Sequence, residues 1–277
     1  MNPQISIIIP TYNEAENIGE LLQQLTQVST EEINVEIIVV DGGSIDRTPL
    51  IVTEFISKLT EELITKNPCL VVKLISSNPG RANQMNRGAK TAQGEILLFL
   101  HADSRLPNNF SNLVTQTLSF SLVPPFLRGV RGHHSRSTKP RLIKPIAGAF
   151  ELEIRGDIQG LRLVEKFVNW RSHFLQLPYG DQAIFLRTKT FWDLGGFPDL
   201  PIMEDFQFIR RVKKLGRVAI VPAKVQTSAR RWQKLGVWQT TLINQLVIIA
   251  FFLGISPQKI ANFYRRQNIH KHTKLDQ

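Results

Sequence analysis

An α/β fold with a mostly parallel central sheet is the class predicted by this sequence, on three observations. Three short, continuously apolar, β-branched runs fall within the first 103 residues, and such runs read as strands buried on both faces. They are Ser6-Ile-Ile-Ile-Pro-Thr-Tyr-Asn-Glu14, Glu36-Ile-Ile-Val-Val-Asp-Gly-Gly43 and Glu95-Ile-Leu-Leu-Phe-Leu-His-Ala-Asp103. Stretches of helical periodicity separate them, which implies right-handed crossovers between parallel strands. Each run ends in turn or acidic residues, and in open α/β sheets the carboxyl edge of the strands is where ligands bind.

Strand 5–9 comes first. A helix over 14–27 follows, with Ile18, Leu21, Leu22 and Leu25 on one face. Strand 36–40 is next, and Asp46-Arg-Thr-Pro49 opens a second helix, with Thr48, Asp46 or Ser44 as its cap and Pro49 in the first turn. Strand 70–75, helix 80–91 and strand 95–100 complete the alternation. Beyond Pro107 the rhythm loosens: helix 109–121, strand 149–154, helix 161–175, strands 183–187 and 217–221, and helix 205–215. Positions 128–145 are rich in Arg, Lys, His, Gly and Pro and read as a long basic loop. The tail from Arg265 is polar, basic and expected to fray. No internal repeat is visible.

The chain is long enough for one large or two small domains, and its 42% hydrophobic content is ordinary for a globular protein. The single Cys69, read as a small core or loop residue, excludes an intramolecular disulfide framework and fits a reducing compartment. A net charge of +11 favours an anionic partner. No nucleic-acid-binding motif is present, so a membrane surface and a nucleotide are the better pair. The N-terminus lacks the pattern of a secretory signal. The apolar stretch 242–255 is too short to span a bilayer and carries Asn244 and Gln245. It reads equally as a buried helix or as one lying in a membrane interface beside Trp232 and Trp238.

Pro10 stops the first ladder, Tyr12 can stack on a base, and Asn13 or Glu14 can bind a base or ribose hydroxyl. Asp41, at the end of the second strand, can accept a hydrogen bond from a base N–H, while Gly42 and Gly43 make a tight turn. Arg81 near a helix start can grip a diphosphate, although an exposed Arg is commonplace. Asp103 can hold a divalent cation bridging two phosphates. Glu204 and Asp205 open a helix, where acids answer the dipole or one takes a proton from an acceptor hydroxyl. Arg230, Arg231 and Trp232 can close over a diphosphate or face a membrane.

In this order, Ser6–Glu14, Asp41–Thr48, Gly80–Gly88, Gly94–Asp103, Gly195-Gly-Phe197 and Glu204-Asp205 resemble the family 2 glycosyltransferases with the GT-A fold. The resemblance covers nearly the whole chain apart from the basic loop and the tail. Tyr179-Gly-Asp-Gln182, Leu200-Pro-Ile-Met-Glu-Asp205 and Thr227-Ser-Ala-Arg-Arg-Trp232 look like a narrower group, the radical-SAM/selenodomain-associated transferases. That group is linked by name to arsenosugar biosynthesis, and related bacterial proteins carry a carotenoid-acid glycosyltransferase label.

The resemblance implies a Rossmann-like sheet with a C-terminal acceptor-side region: a nucleotide-sugar-binding half over 1–125, an acceptor and catalytic half over 126–235, and a hydrophobic helix and basic tail over 236–277. It implies that Pro10, Tyr12, Glu14 and Asp41 hold the nucleoside, that Arg81, Arg230, Arg231 and Trp232 approach the diphosphate, and that Asp103 binds Mg²⁺ or Mn²⁺. Asp205 is the implied general base, with Glu204 beside it. The implied activity is inverting transfer from a nucleotide sugar, UDP-linked by analogy, to a hydroxyl or carboxyl of a lipid, carotenoid or small metabolite. His101 replaces the first acid of the family's Asp-x-Asp motif, and Ser228 replaces the Gln of Gln-x-x-Arg-Trp, which argues against processive synthesis. The implied place is cytoplasmic, on the inner face of the cell membrane. The competing readings are a nucleotidyltransferase acting on a sugar phosphate and a noncatalytic nucleotide-binding module at a membrane surface.

Overall fold

The computed structural model describes residues 3–28, 33–62, 70–119 and 144–269; Cys69, positions 128–143 of the basic stretch and the last residues of the tail lie outside them. The predicted strands form β1 (Ile5–Thr11), β2 (Val35–Asp41), β3 (Leu70–Ser76) and β4 (Ile96–Phe99), pairing in parallel in the order β3-β2-β1-β4. All seven residues of β2 are buried, as expected of a strand covered on both faces. Helices α1 (Ile18–Val28) and α2 (Thr48–Glu62) follow β1 and β2, and α3 (Arg81–Thr91) follows β3. α1 buries the four residues its spacing predicts, Ile18, Leu21, Leu22 and Leu25.

The sheet continues beyond β4 without a break, in the order β3-β2-β1-β4-β7-β6-β8-β5. The added strands are β5 (Ser104–Arg105), β6 (Ala147–Arg155), β7 (Phe185–Arg187) and β8 (Val218–Ser228). β7 is antiparallel to both β4 and β6, β6 and β8 are parallel, and β5 is antiparallel to β8. Helices α4 (Phe110–Ser119), α5 (Leu161–Leu175), α6 (Thr188–Asp193), α7 (Glu204–Leu215), α8 (Arg230–Leu235), α9 (Val237–Phe252) and α10 (Pro257–Ile269) complete the described chain. One face of the sheet packs Ile5, Ile7 and Ile9 against α1; the other packs Ile8, Ile38 and Val40 against α3 and against Phe191, Phe197 and Phe208.

Several elements differ from the sequence reading, each for an identifiable reason. Pro10 does not stop β1: Leu100 N donates to Ile8 O, so the even-numbered positions of β1 face β4, and β4 has ended before it reaches Pro10. The missing N–H therefore leaves no partner waiting. α1 starts at Ile18 rather than 14, because the amides of Asn13, Glu14 and Ala15 donate to Ser44, Thr48 and Asp46 and hold an open loop. Of the three candidate caps it is Asp46 that caps α2, accepting from the Thr48 amide and hydroxyl. β8 runs through Pro222 to Ser228, with a bulge opposite Phe150 and Glu151 absorbing Pro222 and Ala223. α6, α8 and α10 were not anticipated, and the expected frayed tail is helical as far as Ile269.

The amino edge of the parallel strands is closed by a buried carboxylate. Glu36, 1% exposed, accepts from Ser6 Oγ, Lys73 Nζ and the Gln93 and Gly94 amides. Burial alone would raise its pKa, but the Ser6, Gln93 and Lys73 contacts outweigh it and the net shift is downward. Glu36→Gln is expected to cost about 1–3 kcal/mol at pH 7 in urea unfolding. Because the folded pKa is depressed, the wild-type advantage exists above the ordinary glutamate range and should shrink as pH falls through and below about 4.5.

Candidate active site

Three loops meet at the carboxyl edge of the sheet. The first two are laced together: Asn13 Oδ1 accepts from Ile45 N, while Asn13 itself sits in the left-handed region at φ 53°. Asp41 is 6% exposed, and its oxygens accept from the Gly43 and Ser44 amides and the Ser44 hydroxyl. Asp41 therefore shapes the turn expected to cradle a base, with its own acceptors already engaged. Gln84, fully buried on α3, donates to both Thr11 O at 2.7 Å and Val40 O at 2.9 Å and clamps the ends of β1 and β2. A Cβ on Gly42 would come within 2.9 Å of that side chain. Tyr12, 56% exposed, stands free at this edge.

Past β4 the chain turns at His101-Ala-Asp103 and enters β5, whose pairing with Thr227 and Gln226 draws the end of β8 across the sheet. This brings Arg230 to Asp103. The Arg230 Nη2 lies 2.9 Å from Glu14 Oε2 and 3.4 Å from Asp103 Oδ2, so one guanidinium bridges two carboxylates. Burial, reinforced by Asp103, pushes the Glu14 pKa up even though Arg230 opposes it. Glu14 thus faces Arg230 and Asn17 rather than standing open to a ribose.

On the opposite wall, the short 3₁₀ turn Gly180–Gln182 meets the start of α7. Gly180 N donates to Asp205 Oδ2 at 2.7 Å. Gln182, fully buried, holds this turn: its side chain accepts from Ser172 Oγ and donates to Phe150 O. Met203, the residue before α7, has φ 68°, and Ala183, just after the turn, has φ 48°. Both segments that fix Asp205 therefore carry backbone strain of the kind that gathers at functional sites, of order 1–3 kcal/mol each. Glu204 is 3% exposed and directed at Arg81, 3.4 Å away, so it positions that guanidinium. Burial and the neighbouring Asp205 raise the Glu204 pKa, against the pull of Arg81. The recess itself is lined by Arg81, Met85, Phe99, His101, Gly180, Ile184, Phe197 and Asp205.

His101 is half-buried, with its Nε2 buried and unpartnered, and a Cβ on Gly180 would sit 3.1 Å from both that nitrogen and Asp205 Oδ2. Burial, then the Arg81 charge, lower the imidazole pKa to about 4, so the ring is neutral at pH 7. Among the described residues no group of three or more His, Cys, Asp or Glu side chains is arranged to hold a metal ion. Asp103 with the free His101 nitrogen fits a divalent cation only where phosphate oxygens complete the coordination, which is how Mg²⁺ is commonly held.

Arg231 and Trp232 do not flank open solvent. Arg231 lies over the Tyr264 ring, 4.2 Å from its centroid, and contacts its hydroxyl; its Nε and Nη2 are buried without acceptors. Trp232 packs against the core, with its Nε1 also unpartnered. Orphaned buried donors are rare in folded proteins, and these favour an anion beside them. Asp181 was not singled out from sequence. Its Oδ1 is buried and unpartnered, and burial, with Asp205 and Asp103 nearby, raises its pKa to about 6 despite Arg171. The signal that could have found it is the Tyr179-Gly-Asp-Gln182 segment, in which Gly and Gln frame a tight turn around one acid.

The raised Asp181 pKa has a definite sign. The folded state binds the proton more tightly than the unfolded chain, so stability falls as pH rises from about 4 through about 6 and stays lower above it. Asp181→Asn is expected to stabilise the fold at pH 8, by on the order of 1–3 kcal/mol and visible as a higher melting temperature, and to be nearly neutral at pH 4. Paired calorimetric scans at the two pH values check this.

Residues 6–117 match the family model described as Glycosyl transferase family 2. Over 104 residues the chain is 35% identical to a dolichol-phosphate mannosyltransferase of Pyrococcus furiosus, covering 38% of this chain and 27% of that protein. Over 100 residues it is 33% identical to the poly(ribitol-phosphate) β-N-acetylglucosaminyltransferase TarS of Staphylococcus aureus, covering 36% of this chain and 16% of that protein. These matches leave most of each relative's length unaccounted for. In three dimensions the chain is similar to S. aureus TarS 1–349 in complex with UDP, with a TM-score of 0.56 at 20% identity over 81% of this chain and 60% of that one. It is also similar to the mannosyltransferase PcManGT of Pyrobaculum calidifontis in complex with GDP-Man and Mn²⁺, with a TM-score of 0.52 at 21% identity over 82% and 57% of the two chains. The chain thus has a GT-A fold, and its residues 6–117 match the model of the family 2 glycosyl transferases.

Proposed function

We propose that this chain transfers a sugar from a nucleoside-diphosphate sugar to an acceptor hydroxyl, with inversion at the anomeric carbon. The observation that carries the reading is Asp205: its Oδ2 is fixed by Gly180 N at 2.7 Å, in a recess shared with Arg81 and His101. A carboxylate so held can take the acceptor proton as the hydroxyl oxygen attacks the sugar. As that oxygen bonds to the anomeric carbon, the bond from this carbon to the β-phosphate oxygen breaks. The departing diphosphate carries the electron pair. Arg81 and Arg230, with the orphaned donors of Arg231, supply positive charge where that negative charge develops. Glu204 keeps Arg81 in place, while Tyr12 and the Asp41 turn receive the base. A divalent cation, held by Asp103 with the His101 nitrogen, would add charge stabilisation to the diphosphate.

The donor is proposed to be UDP-linked, as in the TarS complex with UDP-GlcNAc; the GDP-Man complex of the Pyrobaculum protein names the competing donor. Nucleotide release from UDP-GlcNAc and from GDP-mannose, each with a cell-extract acceptor fraction, separates the two. Asp205→Asn is expected to lower turnover by about 10²–10⁴-fold, while calorimetric binding of the nucleotide stays within a few-fold of wild type. Full turnover in that variant would end the assignment, as would absence of binding of either nucleotide to the wild type.

The ligand set makes a separate prediction about metal. Mn²⁺ alone is expected to bind weakly, and tightly only once UDP is present, because the phosphates must complete the shell. Asp103→Asn should abolish the UDP-dependent part in isothermal titration. Tight binding of Mn²⁺ to the nucleotide-free protein would contradict this picture.

A further inference from the structure

The positive charge of this chain is not spread over it. Between Phe206 and Leu275 the sequence holds fourteen Lys and Arg residues and no Asp or Glu. Within that acid-free stretch lies α9, which carries no charged residue at all. Its buried side is Val237, Thr240, Ile243 and Val247. Its other side is largely apolar, with Gln245 among it, yet open: Trp238 is 67% exposed, Leu242 59%, Leu246 44%, Ile249 52% and Phe252 61%, and Leu253, just past the helix, is 75% exposed. At 3.6 residues per turn these six fall within an arc of about 120°, opposite the buried face. Large apolar side chains on a helix are normally covered. Those of α9 are covered along one side.

Basic side chains stand beside the open face. Lys259, Arg265 and Arg266 on α10 are exposed, and Arg210 lies over the Phe252 ring, 5.3 Å from its centroid. A second exposed stripe, Leu163, Phe167, Trp170 and Phe174, runs along α5, which starts beside the same tryptophan: a Cβ on Gly160 would lie 3.7 Å from Trp238 Cζ2.

We propose that the open face of α9, with Leu253 and the basic residues of α10, docks on the surface of a bilayer containing anionic lipid. Charge selects this occupant. A patch of Trp, Leu, Ile and Phe flanked by Arg210, Lys259, Arg265 and Arg266, in a stretch of sequence without one carboxylate, matches an apolar layer beneath negative headgroups. It is a poor match for a second copy of itself, whose flanking charge has the same sign. Among the described residues no helix is long and apolar enough to cross a membrane, so the contact is in-plane. The buried side of the same helix pair packs on Met203 and Phe206, which bracket Glu204 and Asp205. Docking would therefore place the bilayer against the support of the candidate base.

Binding is tested without nucleotide, so the result stands apart from the proposed activity. Full-length protein is sedimented with vesicles of phosphatidylglycerol and phosphatidylcholine in equal parts, and with vesicles of phosphatidylcholine alone. Binding to the anionic vesicles at least tenfold tighter than to the neutral ones, weakening with salt, is expected. The Leu242→Ser, Ile249→Ser, Leu253→Ser triple variant should lose at least tenfold of it while keeping the wild-type circular dichroism spectrum. A second variant, Lys259→Glu with Arg265→Glu and Arg266→Glu, touches no buried side chain and should lose the preference for anionic lipid. Failure of the wild type to bind either vesicle overturns the proposal. So does a homodimer, seen by light scattering, that the serine variant dissociates, because the face would then belong to a second copy.

Discussion

Five carboxylates, Glu14, Asp103, Asp181, Glu204 and Asp205, are linked as electrostatic neighbours around the candidate site, and their repulsion is what the surrounding structure has to offset. Two like charges 5 Å apart at an effective dielectric of about 20 oppose each other by about 3 kcal/mol. The upward shifts of Glu14, Asp181 and Glu204 record that cost together with burial. It is met by interleaving. Arg230 stands between Glu14 and Asp103, Arg81 meets Glu204, and Arg171 faces Asp181. Among the described residues Asp205 has no guanidinium of its own within bonding distance and is held instead by two backbone amides, Gly180 N on Oδ2 and Phe206 N on Oδ1. That difference separates acids neutralised by an ion pair from one held by hydrogen bonds alone.

The parallel half of the sheet was legible because its strands are buried on both faces and so read as unbroken apolar runs. Asp41 and Asp103 were legible as edge residues for the same reason: a polar residue directly after such a run has one place to be. What those acids touch was not legible. Asp41 is consumed by its own turn, and Asp103 is claimed by an Arg 127 positions away. That second contact depends on β8 continuing through Pro222, and a proline in an apolar run argues against continuation unless a bulge takes it up. Gln84 left no pattern at all. A buried amide that clamps two strand ends looks, in sequence, like any polar residue on a helix.

Stretch 242–255 shows a different limit. Hydropathy along a chain reports how apolar a helix is but not how many of its sides are covered. The buried-helix reading holds along one side of α9 only; the other side is bare. Glu36 is the converse case. A carboxylate at the start of a strand reads as a boundary marker, whereas four donors from three other segments make it a closing element of the sheet.

The C-terminal helices bear on the chemistry more directly than a tail would. Met203 holds a left-handed backbone at φ 68°, a conformation that costs a non-glycine residue on the order of 1 kcal/mol and persists only if its surroundings impose it. Those surroundings are apolar: Met203 and Phe206 are buried with Val247 of α9 and Ile260 of α10, and the Phe206 ring meets Phe251 and Phe252 edge-on. Tyr264 of α10 reaches further, to the Arg231 guanidinium. Burying two large side chains on this cluster is worth about 3–6 kcal/mol, more than the strained turn costs. The direction of Asp205 is therefore set by hydrophobic packing behind it as much as by the Gly180 amide in front, and whatever presses on α9 and α10 from outside presses on the ground beneath that carboxylate.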